Sequence, residues 1–354
     1  MAGKRTQEER SSDPAAQEML IRADEMGIST AFKRAEEMAP CNIGGAGMCC
    51  KQCGMGPCRL TKDGQVGVCG ATIDTIQARN LVRAISAGAA AHSDHGRDMA
   101  FTLKAVANDE TEGYVLRDVA KLRNIAALYN IPIEGRSPKE IANDLGDLYI
   151  SQFGQQKGEI VCVKRAPAKR QQLWRETGVM PRGVDREVVE SMHRTHIGDD
   201  QDAKHILQHA VRTALSDGWG GSLIATDISD ILFGTPAPIL GQANLGVLKD
   251  DMVNVVVHGH EPTLSNMIVA ASQMPEIIEY ARAAGAKGIN LSGICCTANE
   301  ILMRQGIPAA GNFLHQELAI LTGAVDAMVV HVQCLMKAPV DLAANLNTII
   351  TTPS

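Results

Sequence analysis

The sequence predicts a multidomain α plus α/β fold. An N-terminal all-helical domain, residues 1–235, carries a cysteine-rich loop over 41–69, and a Rossmann-like, doubly wound parallel-sheet domain follows over 236–354. Three observations predict this. Helical periodicity, with no alternating strand pattern, runs through the first 235 residues. At GTPAPILG, 234–241, the texture changes, and short β-branched runs begin to alternate with helical stretches. Strands that are apolar on both faces belong to parallel sheets covered by helices. The chain has 354 residues, of which 45% are hydrophobic, enough for two or three domains.

The elements follow in order. Residues 14–38 read as two short helices broken at Gly27, with Ser29 or Thr30 capping the second and Pro40 ending it. The loop 41–69 comes next. Residues 71–108 are helical, and helical periodicity continues through 113–130. SPKE at 137–140 is a helix start: Ser137 caps, Pro138 takes the first turn and Glu140 closes a capping box. Further helices cover 183–195 and 200–216. Beyond 236, VNVVVHGH (253–260), KGINLSGICC (287–296) and AMVVHVQC (327–334) each read as a strand running into a loop. NTIITT (347–352) is a fourth strand. Helices over 263–284 and about 314–322 lie between them. No tandem repeat of 20–50 residues is present.

Composition excludes several function classes. The net charge of −6 gives no basic surface for nucleic acid or an acidic membrane. The polar N-terminus, MAGKRTQEERSSDPAAQE, has no apolar run and does not read as a secretory signal. No run of eighteen apolar residues appears, so no membrane span is expected and a cytoplasmic location follows. There, cysteines serve as ligands or inert thiols more often than as disulfides.

Six of the ten cysteines fall between Cys41 and Cys69, among glycines and with almost no aliphatic core material. Cys50, Cys53 and Cys58, followed by Cys69, can surround one iron–sulfur cubane. Gly54, Gly56, Gly64 and Gly67 let the backbone curl and turn N–H groups toward the sulfurs. Zinc competes, but its four-cysteine sites pair two C-x2-C knuckles, and the second knuckle is absent. Cys49 and Cys50 are adjacent, so they serve different centres. Cys41 and Cys49 form a leftover pair. They hold a cluster shared across a two-fold homodimer, or else they are free thiols or a labile disulfide; spacing leaves these open. GGAG at 44–47 follows no strand and opens no helix, so it is not a dinucleotide fingerprint.

Three presumed strands end in metal-competent residues: His258/His260, Cys295/Cys296 and Cys334. In an open α/β sheet, ligands bind beyond the carboxyl ends of the strands, and imidazole with thiolates suits iron, nickel or zinc. Cys162 has no partner nearby and reads as a core or surface thiol. His92 and His95 share a helix face with Asp98 and Phe101; spacing alone makes that a solvated polar face. The histidines of MHRTHIG (192–198) and HILQH (205–209) read as structural. The methionines read as core.

CCKQCGMGPCRL, then GVCGATIDTIQARN and AISAGAAAHSDHGRD, together resemble the anaerobic nickel–iron carbon monoxide dehydrogenases of the hybrid-cluster/prismane-like superfamily. KRQQLWRETGVMPRGVDREVVESMHRTHIG, DGWGGSLIATDISDILFGTP, VVVHGHEP, GICCTANEILMRQGIP and LTGAVDAMVVHVQC extend the resemblance over essentially the whole chain. The resemblance implies that Cys41 and Cys49 are ligands of a 4Fe-4S cluster shared across the dimer interface, and that Cys50, Cys53, Cys58 and Cys69 hold a 4Fe-4S relay within the subunit. It implies that His260 and Cys296 ligate the outlying iron of a nickel–iron–sulfur cluster, and that Cys334 ligates its cubane portion. His92 and His95 match the start of a histidine ladder for proton transfer.

Three departures accompany the match. The Cys58–Cys69 loop is a few residues shorter than the family's. Asp98 stands where the ladder has its third histidine. Family chains also run further, through a second α/β domain with three more cluster cysteines and a catalytic lysine, so this chain is expected to lack its C-terminal domain and carries an incomplete ligand set. The implied activity is reversible oxidation of carbon monoxide with water to carbon dioxide. Nickel would bind the CO and the outlying iron would present hydroxide. Electrons would pass through the relay and interface clusters to ferredoxin. The alternatives are an electron-transfer or assembly module without catalysis, or a hydroxylamine-reducing hybrid-cluster relative; HGH and GICC favour the CO branch.

Overall fold

The computed structural model describes residues 5–38, 41–331 and 335–352. They form two compact units. One runs from Cys41 to Thr235, and the other joins the residues up to Met38 to those from Pro236 onward. Cys334 lies outside the described residues.

The first unit begins with a feature the sequence reading does not contain. Two short strands, β1 (Cys49–Cys50) and β2 (Cys58–Arg59), pair antiparallel inside the cysteine loop. A long helix follows, α1 (Ile73–Ala107), started by the Thr72 hydroxyl, which accepts from the Thr75 N–H. Residues 113–118 are not helical; the next helix starts only at Val119, capped by the Asp118 carboxylate. Helix α2 (Pro138–Gly154) opens on the Ser137–Glu140 capping box. Helices α3 (Val184–Arg194), α4 (Ala203–Ser216) and α5 (Ser222–Phe233) complete the bundle, with a π-helical turn, Asp217–Gly221, joining α4 to α5. Met99, Leu103, Ile141, Leu145, Tyr149, Ile224 and Ile228 fill its core. Buried Cys162 belongs to the same core, and burial pushes its thiol up to about 12.

Helix α1 is rich in small residues, and its partners come close. A Cβ on Gly96 would sit 2.6 Å from the Gly221 carbonyl oxygen, and one on Gly221 would sit 3.1 Å from the His92 carbonyl oxygen. Two glycines therefore let the π turn lie backbone-to-backbone on α1.

The second unit holds a five-stranded sheet, all parallel, in the order β5-β4-β3-β6-β7. The strands are β3 (Val253–His258), β4 (Ile289–Ile294), β5 (Ala309–Gly311), β6 (Val325–Val330) and β7 (Ile349–Thr351). Chain order reverses between β3 and β6, which makes the sheet doubly wound with its switch point there. Strand β5 is not anticipated by the sequence. The helix expected over 263–284 is two, Pro262–Ser272 and Pro275–Ala283, because Pro275 takes the first turn of the second. Helix α6 (Cys295–Gln305) follows β4 directly. Helix α7 (Gln316–Leu321) precedes β6.

The N-terminal helices correct the expected domain boundary. Pro14–Glu25 and Ala31–Glu37 stand with the sheet, not with the helical domain. Ala16, Leu20 and Ala23 pack with Leu318, Leu321 and Val325. Glu317, 2% exposed, accepts the Ala31 N–H and pairs with Arg34, each at 2.6 Å. That carboxylate neutralises the positive end of the second helix. Such a contact between distant residues leaves no mark in local periodicity. No described helix is long and apolar enough to cross a membrane.

Candidate metal centres

The strand register separates the adjacent cysteines. Cys50 stands opposite Cys58 and Cys49 opposite Arg59. Side chains alternate along a strand, so Cys50 and Cys58 share one face while Cys49 points to the other. Cys50, Cys53, Cys58 and Cys69 line a single cavity, along with Gly67, Ile76, Arg79, Thr195 and Ile197. Among the described residues, no three His, Cys, Asp or Glu converge as they would on one metal ion. A tetrahedral zinc, with Zn–S near ~2.3 Å, draws its sulfurs to within about 4 Å of each other. Four thiols ringing a cavity suit a polynuclear cluster better.

The cavity wall supplies the matching charge. Arg79, on α1, is 1% exposed. Its Nη2 donates to the Asp200 carbonyl at 2.6 Å, its Nη1 lies 3.7 Å from Cys69 Sγ, and its Nε has no hydrogen-bond partner among the described residues. The Asp200 carboxylate is held by Arg194 at 2.8 Å. A buried guanidinium left without a carboxylate is costly unless anions face it, and the thiolates of a bound cluster would be those anions. The donor set and the charge therefore fit an iron–sulfur cluster. Burial raises the Cys69 thiol, but Arg79 and the Ala71 N–H outweigh it and hold the thiol below its ordinary value. The Val68 N–H reaches Cys58 Sγ at 3.5 Å.

MHRTHIG, read from sequence as structural, turns out to close this cavity. His196 Nδ1 lies 2.8 Å from the Gln52 carbonyl. Ile197 adopts φ 49°, a strained value for a β-branched residue, and is 65% exposed. At Gly198, φ is 75° and a Cβ would lie 2.9 Å from Cys69 Cβ, so only glycine fits. Arg79 and this loop are the functional features that sequence reasoning missed; an arginine six residues into a helix after the last cysteine was the available signal. The HILQH histidine His209 is buried, its Nε2 at 3.0 Å from the Glu187 carbonyl.

Cys41 is exposed and sits at the start of a four-residue helical turn. The Gly44 N–H donates to its sulfur at 3.3 Å and holds the thiol below its ordinary value. Cys49 is half-buried.

The second set of candidate ligands lies at or just past the C-terminal ends of β3, β4 and β6. His258 ends β3 and is fully buried, while His260 lies just beyond it. Cys295 and Cys296 open α6; Cys295 has φ 66°, and Cys296 is exposed. A positive φ at a non-glycine strand end is a local strain of the kind found at functional sites. His331, one residue past β6, is another group the sequence reading missed. It is buried, its Nδ1 accepts the Glu261 N–H at 3.1 Å, and its Nε2 lies 3.1 Å from the Thr297 hydroxyl. Gly259 must be glycine: φ is 138°, and a Cβ would stand 2.6 Å from His331 Nδ1.

His92 and His95 lie on α1 as expected. His92 Nδ1 is 2.9 Å from an Asp217 carboxylate oxygen, and this contact raises its pKa against the effect of burial. Asp98 is exposed on the next turn.

Comparison with known proteins gives one consistent result. The Prismane/CO dehydrogenase family model matches residues 48–354. Carbon monoxide dehydrogenase 1 of Methanosarcina mazei is 56% identical over 339 residues, covering 95% of this chain and 54% of that protein. Carbon monoxide dehydrogenase 1 of Carboxydothermus hydrogenoformans is 46% identical, covering 97% and 55%. A nickel-free crystal structure of carbon monoxide dehydrogenase from Thermococcus sp. AM4 superposes with a TM-score of 0.96 at 48% identity, covering 100% of this chain and 57% of that one. The chain thus spans about half the length of the curated relatives it matches.

Proposed function

The chain belongs to the prismane/CO dehydrogenase family, and from that premise we propose that it is part of a cytoplasmic, anaerobic carbon monoxide dehydrogenase. The reaction is the reversible oxidation of CO with water to CO2. The observation that carries this reading is the placement of His258, His260, Cys295, Cys296 and His331 at or just past the C-terminal ends of three neighbouring strands, β3, β4 and β6, in a chain of this family.

When bound, a nickel–iron–sulfur cluster supplies CO binding and water activation, and 4Fe-4S clusters supply the electron path. His260 and Cys296, with Cys334, would hold the nickel–iron–sulfur cluster. Cys295 packs against the core of the sheet unit, while Cys296 beside it is exposed. His331 fixes the backbone after β3 by accepting from Glu261, which positions the segment bearing His260. Cys50, Cys53, Cys58 and Cys69 would hold the relay cluster, and Cys41 with Cys49 one shared with a second copy in a homodimer. A ferredoxin-like protein would take the electrons. His92, with Asp217 behind it, is suited to take and pass a proton.

The test is CO-dependent reduction of a viologen dye by the anaerobically purified, nickel-loaded protein, with metal content counted beside it. Activity with nickel present, lost together with nickel in His260→Ala and Cys296→Ala, supports the reading. Iron sufficient for the Cys50–Cys69 cluster but no nickel and no CO-dependent reduction overturns catalysis by this chain on its own and favours an electron-transfer or assembly module.

A further inference from the structure

The relay cavity is asymmetric in charge. Arg79 presents a fully buried guanidinium to it, fixed at Nη2 by the Asp200 carbonyl and near Cys69 at Nη1, and no described carboxylate pairs with it. Arg83 stands one turn further along α1. Its Nε donates to the Thr195 hydroxyl, which lines the cavity, at 2.8 Å. The loop carrying Thr195, Ile197 and Gly198 closes over the cysteines, and the Arg194–Asp200 pair at 2.8 Å anchors it. Arg79 itself is buried and Arg83 half-buried, while Cys69 beside Arg79 is exposed.

We propose that Arg79, with Arg83 as the weaker partner, sets the reduction potential of the cluster held by Cys50, Cys53, Cys58 and Cys69. This rests on the iron–sulfur reading of that cavity. One-electron reduction by a low-potential donor adds one negative charge to the cluster and moves no proton. A fixed cation in low dielectric stabilises the more negative, reduced form over the oxidised one. A guanidinium keeps its charge at every pH the fold tolerates, so the effect does not depend on pH. Arg79 acts through the cluster's surroundings and touches no substrate.

The experiment is an EPR-monitored redox titration of the anaerobically purified chain, with dithionite as reductant. The signal lost in Cys50→Ser identifies the relay cluster. Arg79→Gln is expected to shift its reduction equilibrium about tenfold or more toward the oxidised form, which for one electron is about 59 mV lower. Arg79→Lys, which keeps the charge, restores most of the shift. Arg83→Gln moves the potential in the same direction by less. The offset between wild type and Arg79→Gln stays the same on either side of neutral pH.

A wild-type potential in Arg79→Gln, or equal potentials in the Gln and Lys variants, overturns the proposal. Should Arg79→Gln fail to hold a cluster, Arg83→Gln decides, and an unshifted potential there overturns it. A wild-type chain with no reducible cluster assigned to Cys50 overturns the iron–sulfur reading itself, a distinct outcome.

Discussion

His92 Nδ1 and a carboxylate oxygen of Asp217 stand 2.9 Å apart, and the Ser222 hydroxyl lies 3.0 Å from the first and 2.8 Å from the second. Asp217 opens a π-helical turn, a wide turn often found at functional sites. With Nδ1 engaged, Nε2 is the nitrogen left to exchange a proton.

This pair predicts a pH signature. Asp217 raises the pKa of His92 above the ordinary 6.5, against burial, so the contact favours the charged imidazole. Its stabilisation is fully present below 6.5 and is lost as pH rises through the raised folded value. In Asp217→Asn, the His92 titration followed by NMR should move to lower pH. The melting difference between wild type and variant should be largest in mild acid and shrink on the alkaline side. A His92 titration identical in both proteins would refute the pairing.

The contact depends on two glycines, which makes a second prediction. Gly96→Ala drives a Cβ to within 2.6 Å of the Gly221 carbonyl oxygen, a backbone atom that cannot swing aside. The expected cost is about 1–3 kcal/mol, read as a lower melting temperature, with the His92 titration shifting as it does in Asp217→Asn. Gly88, on the same helix, meets nothing within 4 Å. Gly88→Ala should stabilise by about 0.5–1 kcal/mol. Equal responses at the two sites would show that the close approach of the π turn does not exist.

The N-terminal segment supplies the third. Glu317 is buried and holds both the start of the Ala31–Glu37 helix and Arg34. Removing it strands a part-buried N–H and loosens a cation, so Glu317→Ala should weaken docking of residues 5–38 by about 1–3 kcal/mol. Limited proteolysis should then cut that segment faster, while Glu317→Gln, which retains the hydrogen bond to Ala31, sits between. No change in cleavage would mean the segment is held by its apolar contacts alone.

Capping and strand signals carried by near neighbours are legible in the sequence. The Ser137 capping box, the Thr30 cap and the strands ending near His258 and Ile294 all depend on neighbours a few residues away. The family pattern was likewise legible, because its cysteines and glycines are spaced along one stretch of chain. What escaped was non-local or unpunctuated. Glu317 meets Ala31 across most of the chain, and nothing near either residue announces it. The π turn has no propensity signal apart from Gly-Trp-Gly-Gly. Arg79 reads as one more charge on an amphipathic helix until the cavity beside it is known. His331 stands inside an apolar strand pattern, three residues before Cys334, and nothing local sets it apart. Strand pairing inside the cysteine loop is two residues long, too short for any period to register.

That short pairing carries the last prediction. Because Cys50 and Cys49 point to opposite faces of β1, the two thiols should be separable by metal content. Cys50→Ser removes one of four thiols around the cavity and should cost the relay cluster, halving or worse the iron bound per chain outside any nickel-containing site. Cys49→Ser should leave the relay iron and its EPR signal intact. It should instead remove only iron shared between copies and weaken association of two chains, read by sedimentation. If Cys49→Ser and Cys50→Ser lose the same iron and the same signal, the two cysteines serve one cluster, and the division between adjacent residues is wrong.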